Sequence, residues 1–126
     1  MMLASVVLVS ACDGPTSTVF DPVTALTVYL TTPFPDDGAV LIELHGLPDE
    51  SVAVSAIDAS LLVHTARTAD TLRIAAFGSI TSGPLVRIGP LRGSAASLIG
   101  ARVDDAASRG NEQRELAGYV LTLQHR

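Results

Sequence analysis

A single cysteine, Cys12, closes a largely apolar run, Leu3–Ala11. A thiol without a second cysteine has no internal disulfide partner, so it reads as an attachment point or as a small core residue of a short N-terminal strand. Three histidines, His45, His64 and His125, are the candidate nitrogen ligands for a metal. They lie far apart along the chain, with no H-x-H or H-x-x-x-H pair, and a zinc site needs three or four ligands converging in fixed geometry. Two carboxylate pairs, Asp36-Asp37 and Asp104-Asp105, could attract a hard cation, but the alternating oxygen ligands of a calcium loop are absent around them. Asp37-Gly38 reads as turn chemistry, the glycine taking positive φ and the aspartate capping the bend. Asp58, Ser60 and His64 are close enough in sequence to imagine a hydrolytic triad, yet no G-x-S-x-G elbow is present and nothing orients the imidazole. We therefore expect no catalytic residue, no metal and no cofactor.

The remaining candidates point to binding. Arg73, Arg87 and Arg102 fall at outward positions of three strands, opposite apolar neighbours, and would form a face for partner carboxylates if those strands shared a sheet. Tyr29 and Phe34 are close in sequence and could make one small exposed aromatic patch of the kind a sugar ring stacks on. Aromatic residues are only 4% of the chain, with no tryptophan, which counts against extended sugar or base platforms. The net charge of −5, with no cluster of basic residues, excludes electrostatic nucleic-acid binding. All 8 basic residues are arginine, so lysine-based covalent or phosphate chemistry is excluded too.

The apolar run before Cys12 is far shorter than the ~18 residues that span a bilayer, and it gives way at once to Asp13-Gly14-Pro15-Thr16-Ser17-Thr18, a polar, turn-forming stretch. Val9-Ser10-Ala11-Cys12 resembles a bacterial lipobox: an aliphatic residue, two small ones, then the cysteine. That resemblance implies a diacylglycerol on the Cys12 thiol, cleavage before it, and a lipid anchor in a membrane of the cell envelope. Residues 1–11 are then a signal peptide and 12–22 a flexible tether. One departure is that only the α-amino group of Met1 supplies the positive charge expected before the apolar run.

Residues 23–126 must position whatever the binding residues do, and their pattern is period two broken by turns. Leu26, Val28 and Leu30 alternate with Ala25, Thr27, Tyr29 and Thr31, Val40, Ile42 and Leu44 with Leu41, Glu43 and His45, and Leu72, Ile74 and Ala76 with Arg73 and Ala75. Val52–Ile57, Leu61–Thr65, Leu85–Ile88, Ala96–Val103 and Gly118–Gln124 complete about eight short strands, with Leu85–Ile88 stopped by Gly89-Pro90. Asp104–Leu116 reads as a polar loop with at most one helical turn, because Gly110-Asn111 interrupts its helix-forming composition. The expected fold is an all-β antiparallel sandwich, immunoglobulin-like or cohesin-like. Thr71–Gly78, Ile80 and Ser82–Ile88, with Ser55-Ala56-Ile57 before them and Gly118–Leu123 at the close, resemble the strand order of cohesin-type sandwiches. The resemblance implies a binding face on one side of the sandwich, although the N-terminal hairpin is shorter than in cohesins. The expected function is a non-catalytic envelope lipoprotein serving as a protein-interaction or structural module, with carbohydrate or other ligand binding as the alternative.

Overall fold

Alternating side chains become extended backbone because one face of each segment has apolar area to bury and the other does not. The computed structural model describes residues 23–47, 51–92 and 99–125, so Cys12 and the expected signal peptide and tether lie outside the described residues. Within them are eight strands and no helix: β1 (Val23–Thr31), β2 (Asp37–His45), β3 (Ala53–Ala56), β4 (Leu62–Thr68), β5 (Thr71–Ile80), β6 (Gly83–Arg92), β7 (Gly100–Ser108) and β8 (Val120–His125). They form two four-stranded antiparallel sheets, β3-β6-β1-β8 and β4-β5-β2-β7. The chain is an all-β sandwich.

The inward rows are those expected from the alternation. Leu26, Val28 and Leu30 of β1 meet Val40, Ile42 and Leu44 of β2 and Leu72, Ile74 and Ala76 of β5 in one buried cluster, closed by Val86, Ile88 and Leu91 of β6. Each buried leucine, isoleucine or valine contributes roughly 1.5–3 kcal/mol by leaving water. Among the described strands only β4 and β5 are joined as a hairpin within one sheet: Thr68 pairs with Thr71 around a two-residue turn. Its first residue, Ala69, takes φ 55. The expected N-terminal hairpin is instead a crossing, since β1 and β2 lie in different sheets.

Three further boundaries differ from expectation. Gly89-Pro90, joined by a cis peptide bond, does not stop its strand; β6 runs on to Arg92. The register against β1 slips between Thr24 and Leu26 beside it, and a Cβ on Gly89 would stand 3.2 Å from Ala25 Cα. A proline is tolerated where the ladder is already irregular, and Pro84 lies at the second slip, paired with Tyr29. Asp104–Ser108, expected to be loop, extends β7. A register shift at Leu41/Ile42 accommodates the extra Asp104, after which Ala106 and Ser108 again point inward and are buried. The expected start of that strand at Ala96 lies outside the described residues. Finally, Gly38 does not sit in a turn with positive φ; it belongs to β2, and a Cβ there would lie 2.7 Å from the Arg109 Cα. Close backbone approach, and not turn geometry, requires that glycine.

Candidate functional site

The outer face of the β4-β5-β2-β7 sheet is a grid whose rows follow from the register. At one end Leu62, Phe77, Ala39 and Ala107 lie side by side. Next come His64, Ala75, Leu41 and Asp105. Then follow Ala66, Arg73, Glu43 and Arg102. Apolar side chains therefore occupy one half of the face and a charged row the other. Leu62 and Phe77 are paired across strands and are 59% and 42% exposed. The His64 ring meets Phe77 edge-on, with centroids 6.1 Å apart. Small neighbours leave a shallow hollow of about 220 Å³ bordered by Ala39, Leu41, Ala75 and Phe77.

Glu43 is the residue that organises the charged row. It occupies an outward position of a central strand, yet its side chain is only 2% exposed, because an arginine from each neighbouring strand covers it. Arg73 Nε donates to Oε2 at 2.8 Å. Arg102 donates to Oε1 through Nε at 3.0 Å and Nη2 at 2.8 Å. His45 Nε2 approaches the same Oε1 at 2.9 Å. With its proton on Nε2, His45 donates to Glu43 while Nδ1 accepts from the Thr71 hydroxyl at 3.4 Å. The hydrogen bond from Arg73 holds the Glu43 carboxyl below its ordinary pKa; burial opposes this, and the charges of Arg102 and Arg73 reinforce it. Arg102 also lies 3.6 Å from Asp104. Over this row lies an open groove of about 390 Å³ lined by Glu43, His45, Thr68, Thr71, Arg73 and Arg102.

The five expected binding residues do not form one surface. Arg73 and Arg102 come together on either side of Glu43. Arg87 belongs to the other sheet, between Thr27 and Ser55. Tyr29 lies on that second sheet too, between Pro84 and Thr122, and is half-buried. Phe34 belongs to the β1–β2 crossing, where its ring is 6.0 Å from that of Tyr119 and lies under the Arg114 guanidinium, 4.1 Å away. The exposed aromatic patch expected from Tyr29 and Phe34 is therefore not formed: one ring lies on a sheet and the other is half-buried in a loop cluster.

That loop cluster also accounts for the first carboxylate pair. Asp37 is fully buried and accepts from Tyr119 Oη at 2.8 Å and from the Thr32 hydroxyl, with Arg114 Nε 3.6 Å away. Arg114 also pairs with Asp36. Burial first, then the bond to Asp37, pushes the Tyr119 hydroxyl above its usual pKa. The cluster pins the 109–119 segment across one end of the sandwich. In the second pair, Asp105 accepts from the Ala106 amide and from Gln113. Asp58 accepts from the Ser60 amide and hydroxyl, which lowers its pKa and makes a turn. His45 and His64 are separated by β5 and are not neighbours. Among the described residues no three His, Cys, Asp or Glu side chains gather as metal ligands.

Sequence reasoning missed Glu43 and Arg114. An acidic residue at an outward strand position ordinarily reads as solvated. Only the register, which places Arg73 and Arg102 on either side, makes it a buried ion. No protein-family model, curated protein sequence or solved structure matches the chain.

Proposed function

We propose that this chain is a non-catalytic cell-envelope lipoprotein, held to a membrane by lipid on Cys12, whose cohesin-like sandwich binds another envelope protein. The binding face is the outer surface of β4-β5-β2-β7. The observation that carries this reading is the exposed Leu62–Phe77 pair on the same flat face as the row Arg73–Glu43–Arg102. Large apolar side chains beside organised arginines match the composition that protein interfaces favour. Glycan binding is less well served, because Phe34 is already engaged by Tyr119 and Arg114, and Phe77 alone offers no second flat ring.

The anchor and the face are tested separately. Metabolic labelling with a fatty acid should tag the intact chain and not Cys12→Ser; equal labelling of both removes the anchor. In-cell photocrosslinking from the Leu62 position should yield one discrete protein adduct, lost with Phe77→Glu. Adducts unchanged by Phe77→Glu would move the interface off this face.

A further inference from the structure

We infer that the Arg73–Glu43–Arg102 row is a carboxylate-recognition site, and that its ligand is an acidic side chain of a polypeptide whose apolar residue covers Leu62 and Phe77. This rests on the interaction reading above and specifies the chemistry of the partner. Glu43 uses its two oxygens to hold a guanidinium on each side, so both arginines are oriented before any ligand arrives. Their side chains nevertheless remain 57% and 62% exposed. Arg73 bonds Glu43 through Nε, and both its terminal nitrogens have no acceptor among the described residues. Arg102 bonds through Nε and Nη2, leaving Nη1. Two cations held by one buried anion thus present unused N–H donors across a groove, a geometry that suits a carboxylate better than a neutral polar group.

The flanking groups sharpen the choice. Asp104 at the Arg102 edge draws off part of that charge, which makes Arg73, central in the sheet, the stronger anchor. The chain's net charge of −5 disfavours long-range attraction of polyanions, so recognition depends on short-range contact. An acidic polysaccharide would satisfy the arginines but leave Leu62 and Phe77 uncovered. A polypeptide covers both. Phe77 and Arg73 are four residues apart on β5, roughly 13 Å along the strand. The same span separates the apolar contact from the carboxylate in the partner, about four residues if extended or about nine if helical.

The experiment titrates the soluble sandwich, residues 13–126 with the tether retained, with a designed amphipathic peptide. The peptide carries leucines and glutamates at that spacing, and a second peptide has glutamine for every glutamate. Arginine Nε–Hε NMR signals and calorimetry are the readouts. Arg73 and Arg102 signals should move with the glutamate peptide, whose affinity should exceed that of the glutamine peptide by about tenfold, as charge-assisted contacts predict. Oligogalacturonate should bind more weakly than the glutamate peptide. Arg73→Gln should abolish the preference for glutamate, and the far-ultraviolet circular dichroism of that variant reports whether the sandwich has lost its fold as well. If it has, the wild-type shifts decide alone. Equal affinity for the two peptides, or shifts confined to Arg87, Arg92 or Arg109, overturns the carboxylate site while leaving the apolar face standing. Tighter binding of oligogalacturonate overturns the polypeptide assignment. Failure of both peptides to bind overturns the site, whereas the Leu62 crosslink still judges the interaction reading.

Discussion

Glu43 shows how one residue's character is set by its neighbours. A buried carboxylate with a guanidinium on each side is tolerated because each oxygen has donors, and removing the charge leaves two arginines facing each other. Since the folded-state pKa is lowered, the stabilisation is fully present above the ordinary glutamate value of about 4.3 and is lost as pH falls through the folded value. Glu43→Gln should therefore lower the melting temperature by several degrees at pH 7, and the gap from the parent should narrow below pH ~4. Thermal scans at a series of pH values check this; a pH-independent gap would assign the loss to packing alone. The buried roles of Glu43 and Asp37 were not legible along the chain, because their partners are 30, 59 and 82 residues away.

Among the elements, strand existence was legible because strand period is a local property: Leu26–Leu30, Val40–Leu44 and Leu72–Ala76 bury as alternation requires. Strand ends were less so. Gly89-Pro90 and Asp104-Asp105 carry turn chemistry, yet both lie inside strands because irregular registers beside them absorb what a regular ladder would reject. The β4–β5 turn is a place where local preference and structure disagree. Ala69 has φ 55, a conformation that glycine adopts without a Cβ penalty. Ala69→Gly should stabilise the sandwich by roughly 0.5–1 kcal/mol, the relieved strain exceeding the added unfolded-state entropy. Urea denaturation measures it, and a loss of stability would show that the turn is not strained.

In the whole molecule one core joins the two sheets. Ile74 is fully buried at its centre, so Ile74→Ala should cost about 2–5 kcal/mol. The unfolding transition should stay single, since no second core exists among the described residues to unfold apart. Coincident fluorescence and circular-dichroism transitions are the check. The ladder between β1 and β8 begins with Leu26 opposite His125, three residues after Val23, so the described chain ends share one end of the sandwich. The Leu62–Phe77 row lies at the opposite end, beside Ala107, and the arginine row lies between.

The sequence by itself determined the all-β class, the inward rows and the outward direction of Arg73, Arg87 and Arg102, because alternation along a strand is a property of the strand alone. It also contains everything that bears on Cys12, which lies outside the described residues. Only the tertiary structure decided which outward residues share a face. Period two assigns a side chain to one side of its strand but carries no information about which sheet the strand joins. That choice, made by long-range pairing, brought Arg73 and Arg102 onto Glu43, left Arg87 and Tyr29 on the other sheet, and drew Phe34 into a loop cluster with Arg114 and Tyr119.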